Sequence, residues 1–203
     1  MSVWDRQRQA RKKEILKAAE YLFGEVGYSQ TTIEAIAERA GVGIATVYKY
    51  FGNKARIVDE LILPDLEKVA ANVKKIISNP PKDPGLAMAE LVDKYRLLKD
   101  NWSNRKLLRA FSLTGVCTEE VLNAVVEKTD TQAQTHIRDL LLVLRAKGRI
   151  RANIDIDDLA MIVFSVLNQH YFTFITHDDI PTEKIFADMA RRIRLLFEPW
   201  KEL

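Results

Sequence analysis

Apolar side chains return every three to four residues along nearly the whole chain, and no run of strict apolar-polar alternation persists between strand-type turns. That period places apolar residues on one face of a helix, so the chain reads as all-α. The first helix presents Ile15, Leu16, Ala19, Leu22, Phe23 and Val26 as one stripe, and Gly27 supplies its stop. Thr31 and Glu34 have the spacing of a capping box at the head of "TTIEAIAERAG", with Ile33, Ile36, Ala37 and Ala40 as its inner face and Gly41 as its end. A third helix covers about residues 44 to 51. Asn53 caps a fourth that starts at Lys54 and carries Ile57, Val58, Leu61 and Ile62, and Pro64 is expected to kink it by removing a backbone donor.

The stretch "SNPPKDPG", residues 78 to 85, holds half of the six prolines and is the clearest punctuation, so a head and a body divide near it or slightly earlier. The head is drawn as residues 1–56 and the body as residues 57–203. Body helices are expected over 86–101, 104–116, 119–147, 157–176 and 182–198, with Gly148 and Pro181 as stops and "TDTQAQT" as a candidate break in the third. The total is about nine helices, and no internal repeat is apparent.

Composition narrows the setting. An apolar fraction of 47% over 203 residues can bury a substantial core. Cys117 is the only cysteine, so an intrachain disulfide is excluded and a reducing, cytoplasmic compartment is the expected home. The N-terminus "MSVWDRQRQARKKEIL" does not read as a secretory leader, and no unbroken apolar run is longer than stretches such as "LAMIVF" and "LLLVL", so no membrane segment is expected. Charge is unevenly placed: residues 1–56 carry a balance of +4 and residues 57–203 a balance of −1. A basic first quarter suits a nucleic-acid-facing segment, although a solvated helix face carries charge equally well.

The third helix is barely two turns long, too short to persist alone in water. Two short helices around "AGVG", with a further apolar stripe against which both can pack, have the layout of a helix-turn-helix unit, whose second helix lies in the DNA major groove. At 100° per residue Val47 and Phe51 share one side and anchor it. Ala45, Thr46, Lys49 and Tyr50 take the opposite face, and Tyr48 lies on the edge. Thr46, the tyrosine hydroxyls and Lys49 suit phosphate oxygens, and Ala45 suits close approach or a thymine methyl. Lys54 can add a phosphate contact, with Lys12 and Lys13 as further candidates. Ile44 is placed beside Phe51 by the wheel, yet its position at the helix start could expose it to bases. The alternative for all of these is a solvated helix with an ordinary tyrosine pair.

Residues 15–62, "ILKAAEYLFGEVGYSQTTIEAIAERAGVGIATVYKYFGNKARIVDELI", strongly resemble the DNA-binding head of TetR-family (tetracycline-repressor-like) transcriptional regulators. The resemblance rests on Ala18, Ala19, Phe23, Gly27 and Tyr28, on Thr32, Ile36, Ala37, Ala40, Gly41 and Val42, and on Thr46, Tyr48, Phe51 and Lys54, in that order and spacing. It implies an all-α homodimer with helices one to three as a DNA-binding head. About six more helices would form a ligand-binding and dimerising body, and a small-molecule effector would change the separation of the heads. By position it makes Thr32, Thr46, Tyr48 and Lys54 phosphate contacts, and Ile44, Ala45, Lys49 and Tyr50 base-reading or groove-facing residues. Gly43 departs from the family, which often has Ser as the cap there.

The body is less specific. "DDLAMIVFSVLNQHYFTFIT" is apolar on most sides and needs enclosure. Asn168, Gln169 and His170 interrupt it and could orient an effector beside Phe164, Tyr171 and Phe174, or could hydrogen-bond across a helix interface. Tyr95, Trp102, Phe111 and His136 could line the same cavity or be plain core. The last helix offers Ile185, Phe186, Met189, Ile193, Leu196 and Phe197 as a wide apolar surface, with Arg191, Arg192 and Arg194 turned outward. With the helix before it, it resembles the pair that forms a TetR-type four-helix dimer interface; packing of the same stripe inside the chain is the alternative.

No HExxH pair, Walker-type loop or cysteine pair is present, and His136, His170 and His177 lack compact metal-ligand spacing, so neither catalysis, a metal nor a cofactor is expected. The expected function is a ligand-responsive repressor on a palindromic duplex DNA operator. A DNA-independent helical scaffold is the alternative, with an enzyme further behind.

Overall fold

The structure, a computed structural model, describes residues 2–95 and 119–200, and their side chains apart from those of residues 62, 119–127 and 200. Eight α-helices run through the described residues: α1 (Val3–Val26), α2 (Ile33–Arg39), α3 (Ile44–Phe51), α4 (Lys54–Ser78), α5 (Pro84–Lys94), α6 (Glu119–Ala146), α7 (Ile156–Thr176) and α8 (Thr182–Phe197), then a 3-10 turn, Glu198–Trp200. No strand occurs among them. The helix expected over 104–116 and the end of that expected over 86–101 lie outside the described residues, as does Cys117.

Of the described residues, those up to Pro64 and from Glu119 to Glu127 group into one unit, and those from Asp65 to Tyr95 and from Lys128 onward into a second. In the first unit α1 packs on α2 and α2 on α3. Ile15, Ala19, Phe23, Ile36, Ala37, Val47, Phe51, Ile57 and Val58 are buried there. Val26, expected on the buried stripe, is exposed, because it is the last residue of α1 and the chain turns away at Gly27. The Ile62 side chain lies outside those described.

The cap of α2 also differs from expectation by one residue. Thr32, not Thr31, is the N-cap, and its Oγ1 accepts from the Ala35 N–H at 3.1 Å. Thr31 is drawn the other way: it is buried, and its hydroxyl donates to the Gly27 carbonyl at 2.7 Å. Asn53 does cap α4, accepting from the Arg56 N–H at 2.9 Å. α4 stays helical through Pro64 to Ser78.

In the second unit the long helix α6 contributes Ala133, Ile137, Leu140, Leu141 and Leu144 to the core, beside Met88, Leu91 and Val92 of α5 and Val163 of α7. α6 is unbroken across "TDTQAQT", because Ala133 points inward while Thr131 and Thr135 face solvent. Gly148 ends it in left-handed backbone (φ 68°), and the paired bonds Gly148 N–H to Arg145 O and Arg149 N–H to Leu144 O close the end. Arg149 Nη1 then donates to the Pro80 and Pro81 carbonyls at 3.1 and 2.7 Å, which ties the proline-rich turn to the end of α6. α8 lies across α5 and α7. It approaches α5 so closely at Gly85 that a Cβ there would stand 3.3 Å from the Arg194 backbone.

By length and composition α7, with 21 residues, is apolar enough to cross a membrane, which its interrupted apolar runs did not reveal. Its Ile156, Leu159, Ala160, Val163, Phe164, Leu167, Phe174 and Ile175 are buried within the second unit, and core helices pass the same test of length and composition.

Candidate nucleic-acid interface

The turn between α2 and α3 is set by backbone chemistry. Gly41 takes left-handed backbone (φ 65°), the Gly41 N–H bonds Glu38 O at 3.1 Å, and the Val42 N–H bonds Ala37 O at 3.0 Å. This double closure stops α2 and starts α3 after two further residues. Gly43 is the N-cap of α3, with extended backbone (φ −71°, ψ 147°) and no side-chain cap bond. Within α3, Val47 and Phe51 are buried and fix the helix to the unit. Ile44, Ala45, Tyr48 and Lys49 are exposed, and Thr46 and Tyr50 are half-buried. Ile44 is 44% exposed at the start of the helix. Thr32 is exposed at the head of α2. The face of α3 opposite its anchors therefore carries a contiguous set of small, hydroxyl-bearing and basic groups.

Lys54 is placed differently from its expected outward role. Its ammonium donates to the Tyr28 carbonyl at 2.7 Å and the Thr31 carbonyl at 2.8 Å, and it sits 4.2 Å from the centre of the Tyr28 ring. It clamps the α1–α2 connection to the start of α4. Lys12 pairs with Glu60 at 2.8 Å and lies 5.9 Å from the Phe51 ring, whereas Lys13 is exposed. An interaction that the residue spacing did not reveal is that of Arg39, whose guanidinium stacks 3.4 Å from the Tyr21 ring centre and joins α2 to α1.

Of the residues expected around an effector, Trp102 and Phe111 lie outside the described residues. Tyr95 and His136 are brought together, with the phenol oxygen 2.7 Å from Nδ1. Burial pushes the Tyr95 phenol far above its ordinary value. Burial also pulls the His136 imidazole below its own, against the opposing charge of Asp139. These shifts favour the neutral form of both groups, which share one hydrogen bond whose direction follows the imidazole tautomer. Phe164 and Phe174 are buried, the latter against Phe186 at 6.2 Å between ring centres, and Tyr171 is half-buried. Asn168 faces outward on α7. His170 is buried, but Nδ1 is bonded to the Val166 carbonyl at 2.7 Å and Nε2 lies 3.4 Å from Asp188 Oδ2 of α8, so it fits the helix-interface alternative. Asp188 also meets Arg191 at 2.6 Å and Arg192 at 2.9 Å, and its hydrogen bond to Arg191 holds its carboxyl below the usual range.

The apolar stripe of α8 likewise departs from the expected interface. Ile185, Phe186, Met189, Ile193 and Phe197 are buried inside the chain's own second unit. Arg191, Arg192 and Arg194 are exposed as expected. On α7 and α8 the large apolar side chains that remain outward include Met161, Ile162 and Phe172, each about half exposed, and Leu195. No group of three or more potential metal-binding side chains occurs among the described residues.

A three-helix head whose third helix is anchored by two buried residues and closed off by a left-handed glycine turn defines a helix-turn-helix DNA-binding protein. Residues 15–61 match the sequence model of the bacterial regulatory proteins of the tetR family. The HTH-type transcriptional repressor AcnR of Corynebacterium jeikeium is 28% identical over 168 residues, 81% of this chain and 82% of its own. The crystal structure of the transcriptional regulator FadR of Bacillus subtilis, in complex with stearoyl-CoA, superposes with a TM-score of 0.72 at 19% identity, over 91% of this chain and 96% of its own. The TetR-family regulator PfmR of Thermus thermophilus gives 0.65 at 23% identity, over 89% and 97%. Residues 15–61 thus match the tetR-family regulatory head, and the chain shares its fold with TetR-family transcriptional regulators.

Proposed function

We propose that this protein is a ligand-responsive transcriptional repressor that binds a two-fold symmetric DNA operator as a homodimer. Residues 1–56 would act as the DNA-binding head, and residues 57–203 as the effector-binding and dimerising body. The observation that carries the reading is the outward face of α3, where Ala45, Thr46 and Lys49 stand opposite the buried Val47 and Phe51, with Tyr48 exposed and Tyr50 half-buried at its edges. Ile44, Ala45, Lys49 and Tyr50 are assigned to the floor of the groove, and Thr32, Thr46 and Tyr48 to phosphates. Lys54 is assigned first to holding the α1–α2 connection, which positions Thr32.

For the dimer, the outward residues Met161, Ile162 and Phe172 fall on one stripe of α7, and an apolar stripe of that kind in a regulator favours burial by a second copy. Repression is supported by the similarity to AcnR, and a small-molecule effector by the fold shared with a regulator crystallised with stearoyl-CoA. The effector needs only to prefer the conformation that does not fit the operator. No catalytic step is assigned, and the cytoplasm is the compartment that suits a DNA-binding regulator.

The test is a titration of duplex fragments from the organism's own genome at several salt concentrations, because phosphate contacts release counterions and make affinity fall steeply with salt. A salt-independent signal, or none, would leave the helical-scaffold alternative standing.

A further inference from the structure

The family match begins at residue 15, yet α1 begins twelve residues earlier at Val3. The first turn is held by a reciprocal cap: the Asp5 N–H donates to Ser2 Oγ at 3.1 Å, and the Ser2 N–H and Oγ donate to Asp5 Oδ2 at 3.0 and 2.8 Å. A helix whose first residues, Val3 to Arg11, are all exposed needs such a cap to stay helical. Residues 2–11 are all exposed, so this stretch adds nothing to the core of its own chain.

Its composition is one-sided. Residues 1–14 hold five basic side chains, Arg6, Arg8, Arg11, Lys12 and Lys13, against Asp5 and Glu14, a balance of +3 that equals the net charge of the whole 203-residue chain. The remaining residues are therefore neutral in sum. At 100° per residue Trp4, Arg8 and Arg11 fall on the same side of α1 as the buried Ile15, Ala18 and Ala19, whereas Arg6 and Lys13 fall on the opposite side. The Arg8 guanidinium lies 5.9 Å from the centre of the exposed Trp4 ring, which limits its freedom. The next turn along this face carries Lys12, 5.9 Å from the ring of Phe51, the last residue of α3. From there Val3 to Arg11 extend the helix by about 13 Å at 1.5 Å per residue.

We infer that this first part of α1 is a second DNA-contacting element, in which Arg8 and Arg11 bind phosphates of the duplex beside the site read by α3. The inference rests on the DNA-binding reading above and extends it to residues outside the family match. Duplex DNA is favoured over a membrane surface because residues 2–11 offer only Val3, Trp4 and Ala10 as apolar groups, too few for an inserted face. Phosphate is favoured over base edges because nothing in this stretch is buried enough to fix an arginine fork in one register.

The experiment compares three full-length proteins on one operator-containing duplex by fluorescence anisotropy across a range of salt concentrations: wild type, Arg8→Gln/Arg11→Gln and Arg6→Gln/Lys17→Gln, Lys17 being an exposed residue on the same side of α1 as Arg6. The two variants lose the same charge from opposite sides of the helix, and all substitutions are at exposed positions. The expected result is a slope of log affinity against log salt that is shallower by about 0.9 for each phosphate the Arg8/Arg11 variant no longer neutralises, about 1.8 per protomer, with the same preferred sequence. The Arg6/Lys17 variant should keep a slope close to wild type. Equal slopes for wild type and the Arg8/Arg11 variant, or equal flattening in both variants, would overturn the inference. Failure of wild type itself to bind would instead overturn the function on which it rests.

Discussion

The Lys54 ammonium stands 2.7 Å from the Tyr28 carbonyl, across 26 residues of sequence, and a second bond of 2.8 Å to Thr31 completes the clamp. A cation spent on two backbone carbonyls and one ring is first a structural element. Lys54→Met keeps the stem and removes the donors, so it should destabilise the protein by about 1.5–3 kcal/mol, the range for hydrogen bonds to a charged group. Urea denaturation measures this directly. A Lys54→Met protein with wild-type stability and weakened DNA binding would return Lys54 to a purely phosphate-binding role.

The anchors and the display of α3 should separate cleanly under substitution. Phe51→Ala removes a buried ring and should cost about 3–5 kcal/mol. Lys49→Ala, on the outward side, should leave stability within about 0.5 kcal/mol, and Tyr50→Ala, whose half-buried ring lies 6.2 Å from that of Phe51, should cost more than that, while both change which duplexes are preferred. Thermal melts and selection from a randomised duplex pool read the two effects independently. An unchanged sequence preference in both outward variants would contradict the assignment of this face to the groove.

Gly43 leaves α3 without a side-chain cap. A Cβ placed there meets only Thr46 Oγ1, at 3.9 Å, so serine fits. Gly43→Ser should therefore gain a few tenths of a kcal/mol, seen as slower amide exchange in α3. Faster exchange would mean that the added side chain disturbs the turn.

The outward stripe of α7 makes a prediction about assembly. Phe172→Glu, or Ile162→Glu, should convert the dimer to monomer in sedimentation velocity while leaving the helical content intact, because both side chains are about half exposed within the chain. A dimer that survives both substitutions would place the interface on another surface.

Acid should weaken the second unit through His136. Burial lowers its folded-state affinity for a proton below the ordinary value of 6.5. The unfolded chain therefore binds more protons than the folded one in that window, and stability falls as pH drops through about 6.5 toward the lower folded value. Protonation also fixes a hydrogen on Nδ1, so the contact with the Tyr95 oxygen keeps only the arrangement in which the imidazolium donates. The melting temperature should decline between pH 7 and pH 5, and His136→Gln should flatten the decline. An identical pH profile in the variant would assign the effect elsewhere.

The helices were legible because each buries one stripe, and the period of that stripe is written in the sequence: Val47 with Phe51, and Ile33 with Ile36 and Ala37, are buried as their spacing requires. The cap of α2 was displaced by one residue because two threonines stand side by side, and only the fold shows that Thr31 turns back to Gly27. The stripe of α8 announced burial but not by what, since an apolar face looks the same whether a neighbouring helix or a second copy covers it. α7 is apolar on most sides, so its wheel could not tell that Asn168 faces outward and His170 inward. The partners of Lys54 lie 23 and 26 residues away, beyond any local spacing rule.

The most direct measurement is footprinting of the purified, effector-free protein on fragments of its own genome at low salt. The account predicts protection of two half-sites related by two-fold symmetry, with centres one helical turn or a multiple of it apart, about 34–36 Å for a single turn. It also predicts that this protection disappears as salt rises. Protection of a single asymmetric site, or of no fragment at all, would contradict it.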